Sequence, residues 1–223
     1  MIFPSEEDYI DIHTHGSTPQ KGVFTIASLM AHEGITPESA GGVAYSVGVH
    51  PWYVTKANSA GQLKFVERCA SHQSVAAIGE AGIDKPKGTA PKLQIEVLEQ
   101  QILIAEQVKK PLIIHCVKAW NELFAAHRKM KPQMAWIIHG FMGKKELAQR
   151  LISNGIYLSP WCQLALKPHS AQLLRSIPLN RLFLETDGSQ VDIKDVYHKT
   201  AANLSISVDE LKRNIAANYK KIF

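Results

Sequence analysis

The sequence has only three cysteines, Cys69, Cys116 and Cys162, far apart and without a Cys-x-x-Cys pair. That argues against a disulfide-framed fold or a zinc knuckle and fits a reducing compartment. No apolar run approaches the ~18 residues of a membrane span. The first eight residues, Met-Ile-Phe-Pro-Ser-Glu-Glu-Asp, are acidic where a secretory leader carries a basic region. The expectation is a cytoplasmic chain with no membrane association, and nothing in the pattern implies a protein partner. Like charges never run to five in a row, and the net charge is only +5, 25 basic against 20 acidic residues. A polyanionic partner is permitted but not required. With 14 glycines, 11 prolines and 8% aromatics the chain is also not of low complexity. What remains is 45% hydrophobic residues in a chain of 223, enough for one substantial core, together with ten histidines.

Short runs rich in valine and isoleucine recur at Tyr9 to His13, Val43 to Val49, Val75 to Gly79, Leu112 to Cys116, Trp136 to His139, Ile156 to Ser159 and Leu182 to Glu185. Each reads as a strand buried on both faces. Val23 to Ser28 is a weaker eighth candidate. Between them lie stretches of helical period, clearest at Pro91 to Lys110, where Leu93, Val97 and Ile104 recur at helical spacing. Lys144 to Asn154 is another, closed by Gly155. A last helix opens on Ser207 and Glu210, a capping-box pair, with Leu211, Ile215, Tyr219 and Ile222 as its stripe. Strand and helix alternating along the whole chain predicts a parallel α/β sheet. Eight units give a closed (β/α)8 TIM-type barrel, compact at about 28 residues per unit and possibly irregular at its second strand. Seven would give an incomplete barrel or an open doubly wound sheet. No composition shift divides residues 1–223, so a single domain is expected.

The strands end in residues that bind metals: Asp11-Ile-His13-Thr-His15, Gly79-Glu80, Ile114-His115, Ile138-His139 and Glu185-Thr-Asp187. A barrel collects these ends on one face, where the active sites of this fold lie. A His-x-His pair alone carries little weight: ten histidines in 223 residues produce about 0.4 such pairs by chance. A single strand-end histidine is more often core or surface than ligand, and Glu80 or Asp187 could simply cap a helix. Six such groups on five strands are another matter, because four imidazoles and two carboxylates gathered without a cation would be buried unpaired. Six ligands exceed the three of a single catalytic zinc, which points to two ions; Zn, Mn and Mg stay open.

These residues, in this order, resemble the TatD family of metal-dependent hydrolases. The likeness runs through Asp11 to His15, Val47-Gly-Val-His-Pro51, Ile78-Gly-Glu-Ala-Gly-Ile-Asp84, Ile113-Ile-His115, Ile138-His-Gly-Phe-Met-Gly143, Leu184-Glu-Thr-Asp187 and the tail to Phe223. The resemblance implies a TIM-type barrel that hydrolyses phosphodiesters, commonly as a deoxyribonuclease, with DNA as partner. By it, His13, His15 and Asp187 hold one divalent ion, His115 and His139 a second, and Glu80 bridges them. His50 contacts substrate, and Asp187 and Glu80 are the catalytic carboxylates, Asp187 as base. Trp52, Trp120 and Trp161 follow strands and are placed to stack on bases or, equally, to pack under a loop; Trp52 and Lys118 are the candidates beside His50, and Lys118, Lys144 and Lys145 could meet phosphates but read better as solvated helix ends. His169 is incidental.

The chain departs from the family pattern in its loops. Val117 stands where the family has an arginine, Lys85 and Pro86 replace an aromatic pair after Asp84, and Asp187 leads through Gly188-Ser-Gln-Val-Asp192 to the next helix without the usual long loop. The metal set is complete and the substrate loops are altered. A hydrolase of small phosphoesters, esters or amides on the same site is therefore the rival reading.

Overall fold

The computed structural model describes residues 3–16, 18–39, 41–165 and 171–223, so His169 lies outside the described residues. Among the described residues seven runs form strands: β1 (Tyr9–Thr14), β2 (Val23–Met30), β3 (Val43–Gly48), β4 (Val75–Asp84), β5 (Leu112–Val117), β6 (Trp136–Phe141) and β7 (Tyr157–Pro160). They follow one another in chain order within one sheet, and the pairs β1–β2, β3–β4, β4–β5 and β6–β7 are parallel. The helices are α1 (Ser59–Ala70), α2 (Pro91–Val108), α3 (Trp120–Met130), α4 (Lys145–Ser153), the short α5 (Cys162–Ala165) and α6 (Ala171–Leu174), then α7 (Ile193–Leu204) and α8 (Val208–Ile222). None of the described helices is long and apolar enough to cross a membrane.

Two details differ from the sequence pattern. Val23 to Ser28 lies within a regular eight-residue strand, buried along almost its whole length. Leu182 to Glu185 is extended but makes a single bridge, Leu182 to Leu158. It does contact both flanking strands, since Phe183 N donates to Leu158 O (2.9 Å) and Ile12 N to Leu184 O (3.0 Å). The ladder stops because Thr186 N turns away to the Asp11 carboxylate (3.0 Å) and Asp187 enters a left-handed conformation at φ 51°. The irregularity expected at the second strand thus falls at the eighth position.

The chain packs as two compact units. One comprises Ser28–Ser39 and Tyr45–Trp136. At its centre β4 is buried at all ten positions, as a parallel strand covered on both faces must be. Against β5, Ile78 pairs with Leu112 and Ala81 with Ile114, so three steps on β4 face two on β5. This is a bulge, and Glu80 sits in it. The close approach requires glycine: a Cβ on Gly79 would overlap the Ile113 carbonyl, and one on Gly82 the His115 carbonyl. α2 opens on Pro91, whose missing N–H costs nothing at that position. Two buried glutamines on α2 reach back to strand ends. Gln101 Oε1 accepts from Val49 N (2.7 Å) while its Nε2 donates to Val49 O (3.2 Å), and Gln94 grips the N–H and carbonyl of Asp84 in the same way (2.7 and 3.1 Å).

The other unit comprises Ile2–Ala27, Ala40–Ala44 and Ile137–Phe223. The same one-residue excess recurs here. On β1 it falls between Asp11 and Thr14, around His13, and on β6 between Ile138 and Phe141, around His139. The buried Tyr197 hydroxyl accepts from Ile10 N (3.0 Å) and donates to Ile10 O (3.1 Å), which anchors α7 to β1. Ser207 caps α8 by accepting from Glu210 N (3.1 Å), one half of the predicted capping box. Leu211, Ile215 and Tyr219 are fully buried along α8.

Candidate functional site

In the unit that carries β1, three predicted ligands meet. His13 is the last fully buried residue before the end of β1, and His15 follows the strand; their rings lie 5.0 Å apart at 85°. Both Nε2 atoms face Asp187 Oδ1, at 3.5 and 3.4 Å. Asp187 is held in place by its own N–H, which donates to His13 O (3.0 Å), and by the preceding Thr186. The Thr186 hydroxyl donates to Asp11 Oδ2 (2.6 Å), and Thr14 Oγ1 accepts from Gly188 N (3.1 Å). Asp11 therefore fixes the turn that presents Asp187. The His139 ring lies 4.2 Å from that of His13, tilted at 45°, and it forms a second potential cation-binding group with Glu185 and Asp187. Glu185 is fully buried, its Oε1 accepting from Gly140 N (2.6 Å) and lying 3.9 Å from His139 Nδ1.

In the unit that carries β4, Glu80 is the focus. Its Oε1 lies 3.2 Å from His50 Nε2 and 2.9 Å from His115 Nδ1, and all three are buried or nearly so. His115 Nε2 in turn lies 3.1 Å from Asp84 Oδ2. A histidine with a carboxylate on its second nitrogen has its ring orientation and tautomer set by that carboxylate, the usual support of a metal-binding imidazole. His50, expected to contact substrate, is in direct contact with Glu80. Trp52 donates its indole N–H to the same Asp84 oxygen (2.7 Å). Lys118 lies in the turn after β5, exposed and left-handed at φ 53°. Trp120 opens α3, and Trp161 follows β7, its N–H donating to Phe141 O (3.2 Å).

Two participants, Asp84 and Glu185, were given no role from sequence. Each ends or precedes a motif whose other carboxylate drew the attention, yet the spacing carried the signal: Glu185 stands two residues before Asp187, and Asp84 four after Glu80.

The ligand atoms in each of three groups, His13–His15–Asp187, His139–Glu185–Asp187 and His50–Glu80–His115, lie within 4.8 Å of one another. Imidazole and carboxylate donors crowded in this way fit a divalent cation of the zinc or manganese type. The charge balance says the same. Burial pushes the Glu185 carboxyl well above the usual range and lifts Asp11 to about 6 against the pull of its Thr186 bonds. Burial also opposes a charge on His115, yet Glu80 and Asp84 outweigh it and raise that imidazole. Asp187 moves the other way: burial would raise it, but hydrogen bonds from His13 and His15 hold it well below its ordinary value.

An unfolded carboxyl titrates at about 3.9–4.3, so above that pH Asp11 and Glu185 hold protons in the folded state that the unfolded chain has released, and stability falls as pH rises toward 6. The His115 contribution is complete below about 6.5 and is lost as pH rises through the higher folded value. Asp187 stabilises above about 3.9 and matters only in acid. Metal-free protein is therefore expected to melt at a lower temperature at pH 8 than at pH 5. Mn²⁺ or Zn²⁺ at about a hundredfold excess over its dissociation constant restores about 2.7 kcal/mol at pH 8, roughly 5–10 °C. Calorimetry in chelator and then with metal checks this; a flat or rising melting temperature without metal would count against it.

A family model for TatD related DNase matches residues 30–223. The chain belongs to the TatD-related DNase family. The likeness extends to relatives in that family. The uncharacterized metal-dependent hydrolase YcfH of Escherichia coli K12 is 27% identical over 199 residues, 81% of this chain and 74% of YcfH. The 3'-5' ssDNA/RNA exonuclease TatD of Edwardsiella piscicida is 30% identical over 161 residues, 69% of this chain and 61% of that protein. Among solved structures, the TatD homolog YjjV from E. coli superposes with a TM-score of 0.79 at 18% identity, covering 98% of this chain and 99% of that one. The TatD family hydrolase of Entamoeba histolytica gives 0.77 at 15% identity over 100% and 99%. The fold is thus the α/β TIM-type barrel of TatD hydrolases, and this chain is a metal-dependent hydrolase of the TatD family. The TatD match begins at residue 30, so His13 and His15 lie outside it, and their case rests on the geometry with Asp187.

Proposed function

We propose that this TatD protein is a deoxyribonuclease that cleaves DNA phosphodiesters in the cytoplasm, with residues 1–223 as one hydrolase domain and two divalent cations held by His13, His15, Glu80, His115, His139 and Asp187. The observation that carries this reading is the crowding of imidazoles and carboxylates at strand ends, on bulged positions, in a chain of this family. Its three cysteines are free thiols, in keeping with the cytoplasm. When bound, paired cations supply an activated water and offset charge on the phosphoryl oxygens.

The side chains divide the remaining work. Asp187, held ionised by His13 and His15, takes the water's proton at Oδ1 or Oδ2. Glu80, fixed between His50 and His115, keeps both rings aimed at one point. His50 donates to a phosphoryl oxygen, and Lys118 and Trp52 hold substrate on either side. The Asp84 contact to His115 sets which imidazole nitrogen points inward.

The test compares single-stranded DNA, a model phosphodiester and a model ester, each with Mg²⁺, Mn²⁺ or Zn²⁺ and with chelator. Cleavage of DNA is expected only with metal, and Glu80→Gln is expected to lower it at least a hundredfold. Turnover that ignores metal or this substitution overturns the mechanism, and cleavage of the ester alone overturns the nuclease reading.

A further inference from the structure

Trp52 and Tyr53, in the turn after β3, are 38% and 39% exposed, although rings of this size normally supply core area. The Tyr53 ring stacks on exposed His32 at 3.9 Å and 20°. Trp52 stands edge-on to both imidazoles of the Glu80 cluster, 4.8 Å from His50 and 5.8 Å from His115. Its indole is fixed by the bond to Asp84. Lys87 Nζ lies 3.9 Å from the centre of the Trp52 ring, whereas neighbouring Lys85 is paired with Glu122. The loop that carries Lys87 is itself rigidly placed. Gln94 Nε2 faces the carbonyls of Asp84, Lys87 and Thr89 at 3.1, 3.0 and 2.8 Å, and Gly88 packs where a Cβ would overlap the Pro51 carbonyl.

We propose that Trp52 and Tyr53 form a stacking subsite for an unpaired nucleobase beside the phosphodiester presented at His50 and His115, with Lys87 meeting the adjoining phosphate. This rests on the nuclease reading above and names the part of the substrate it grips. Exposed π-faces joined to an ammonium group are the chemistry of single-strand recognition, since every base offers a face and every linkage a charge. A base within a duplex has no free face, so the subsite selects single strands and frayed ends. It also accounts for the altered loops: aromatic surface comes from Trp52 and Tyr53, and the Lys85–Pro86 loop brings a cation to it.

The experiment measures equilibrium binding by fluorescence anisotropy, in chelator so that no turnover occurs. The probes are a fluorescein-labelled single-stranded oligothymidylate and an oligomer of the same length with abasic nucleotides. Wild-type protein is expected to bind the abasic strand about tenfold more weakly. Trp52→Ala and Tyr53→Ala are each expected to shrink that ratio to within about twofold. Trp52→Phe, which keeps a ring but loses the Asp84 bond, retains most of it, which a merely structural role for Trp52 would not produce. Tyr53→Ala removes a ring that contacts chiefly other rings, and a melting curve verifies its fold. A ratio unchanged in both alanine variants, or no binding or no base dependence in wild type, overturns the subsite. Failure of the nuclease reading is seen separately, as base-dependent binding with no metal-dependent cleavage.

Discussion

Asp187→Asn is expected to lower kcat on single-stranded DNA by about 10³-fold and to leave the metal-free protein less stable than wild type above about pH 3.9. The loss follows from the two tasks proposed for this carboxylate. General-base transfer alone is worth about 10²–10⁴-fold, and an amide can neither take the proton nor hold a cation as an anion does. The stability follows from the neighbours. The ionised carboxylate accepts from His13 and His15, and an amide forfeits that contribution, offset only in part by relief of like-charge repulsion on buried Glu185. The same substitution also cuts the melting-temperature gain produced by Mn²⁺ or Zn²⁺. Steady-state kinetics and calorimetry on one preparation decide it: kcat within tenfold of wild type, or an undiminished metal effect, would remove Asp187 from both roles.

The second large effect is on folding. Gly82→Ala places a methyl group onto the His115 carbonyl, backbone against backbone, in a strand buried at every position. Neither side can yield without breaking the β4–β5 ladder, so a cost above about 4 kcal/mol is expected, with a melting temperature at least 10 °C lower or no soluble protein at all. Gly61→Ala is the comparison. It lies in α1, where an added Cβ meets nothing within 4 Å, and alanine there is expected to gain a few tenths to about 1 kcal/mol. Equal behaviour of the two variants would show that the close approach at Gly82 is not what fixes the strand.

Much of this was legible in the sequence because the chemistry and the strand pattern coincide. Valine and isoleucine runs marked where strands lie, and histidines or acids at their ends marked side chains that the structure gathers into clusters. The bulges were not legible. His13, Glu80 and His139 each sit where one strand carries an extra residue, and a simple two-residue alternation cannot announce that. Only Gly79 and Gly140 hint at it, as glycines beside a ligand, while β1 achieves the same offset without one. The failed strand at Leu182 to Glu185 has a related cause. Its apolar residues are those of a strand, but Thr186 gives its N–H to a side chain from β1, and no local pattern records an interaction 175 residues away. His50 was underrated because its contact with Glu80 joins two strands that the sequence shows only separately.

The two α2 glutamines bear on how such an enzyme changes over generations. Gln94 and Gln101 are seven residues apart, two turns along one helix face, and each takes both backbone groups of a single residue: Asp84, which steadies His115 and Trp52, and Val49, which precedes His50. One helix therefore sets the position of both loops proposed to meet substrate, by contacts that do not depend on loop side chains. Substitutions at Trp52, Tyr53 and Lys87 can therefore alter what the loops grip without disturbing the helix contacts that position them.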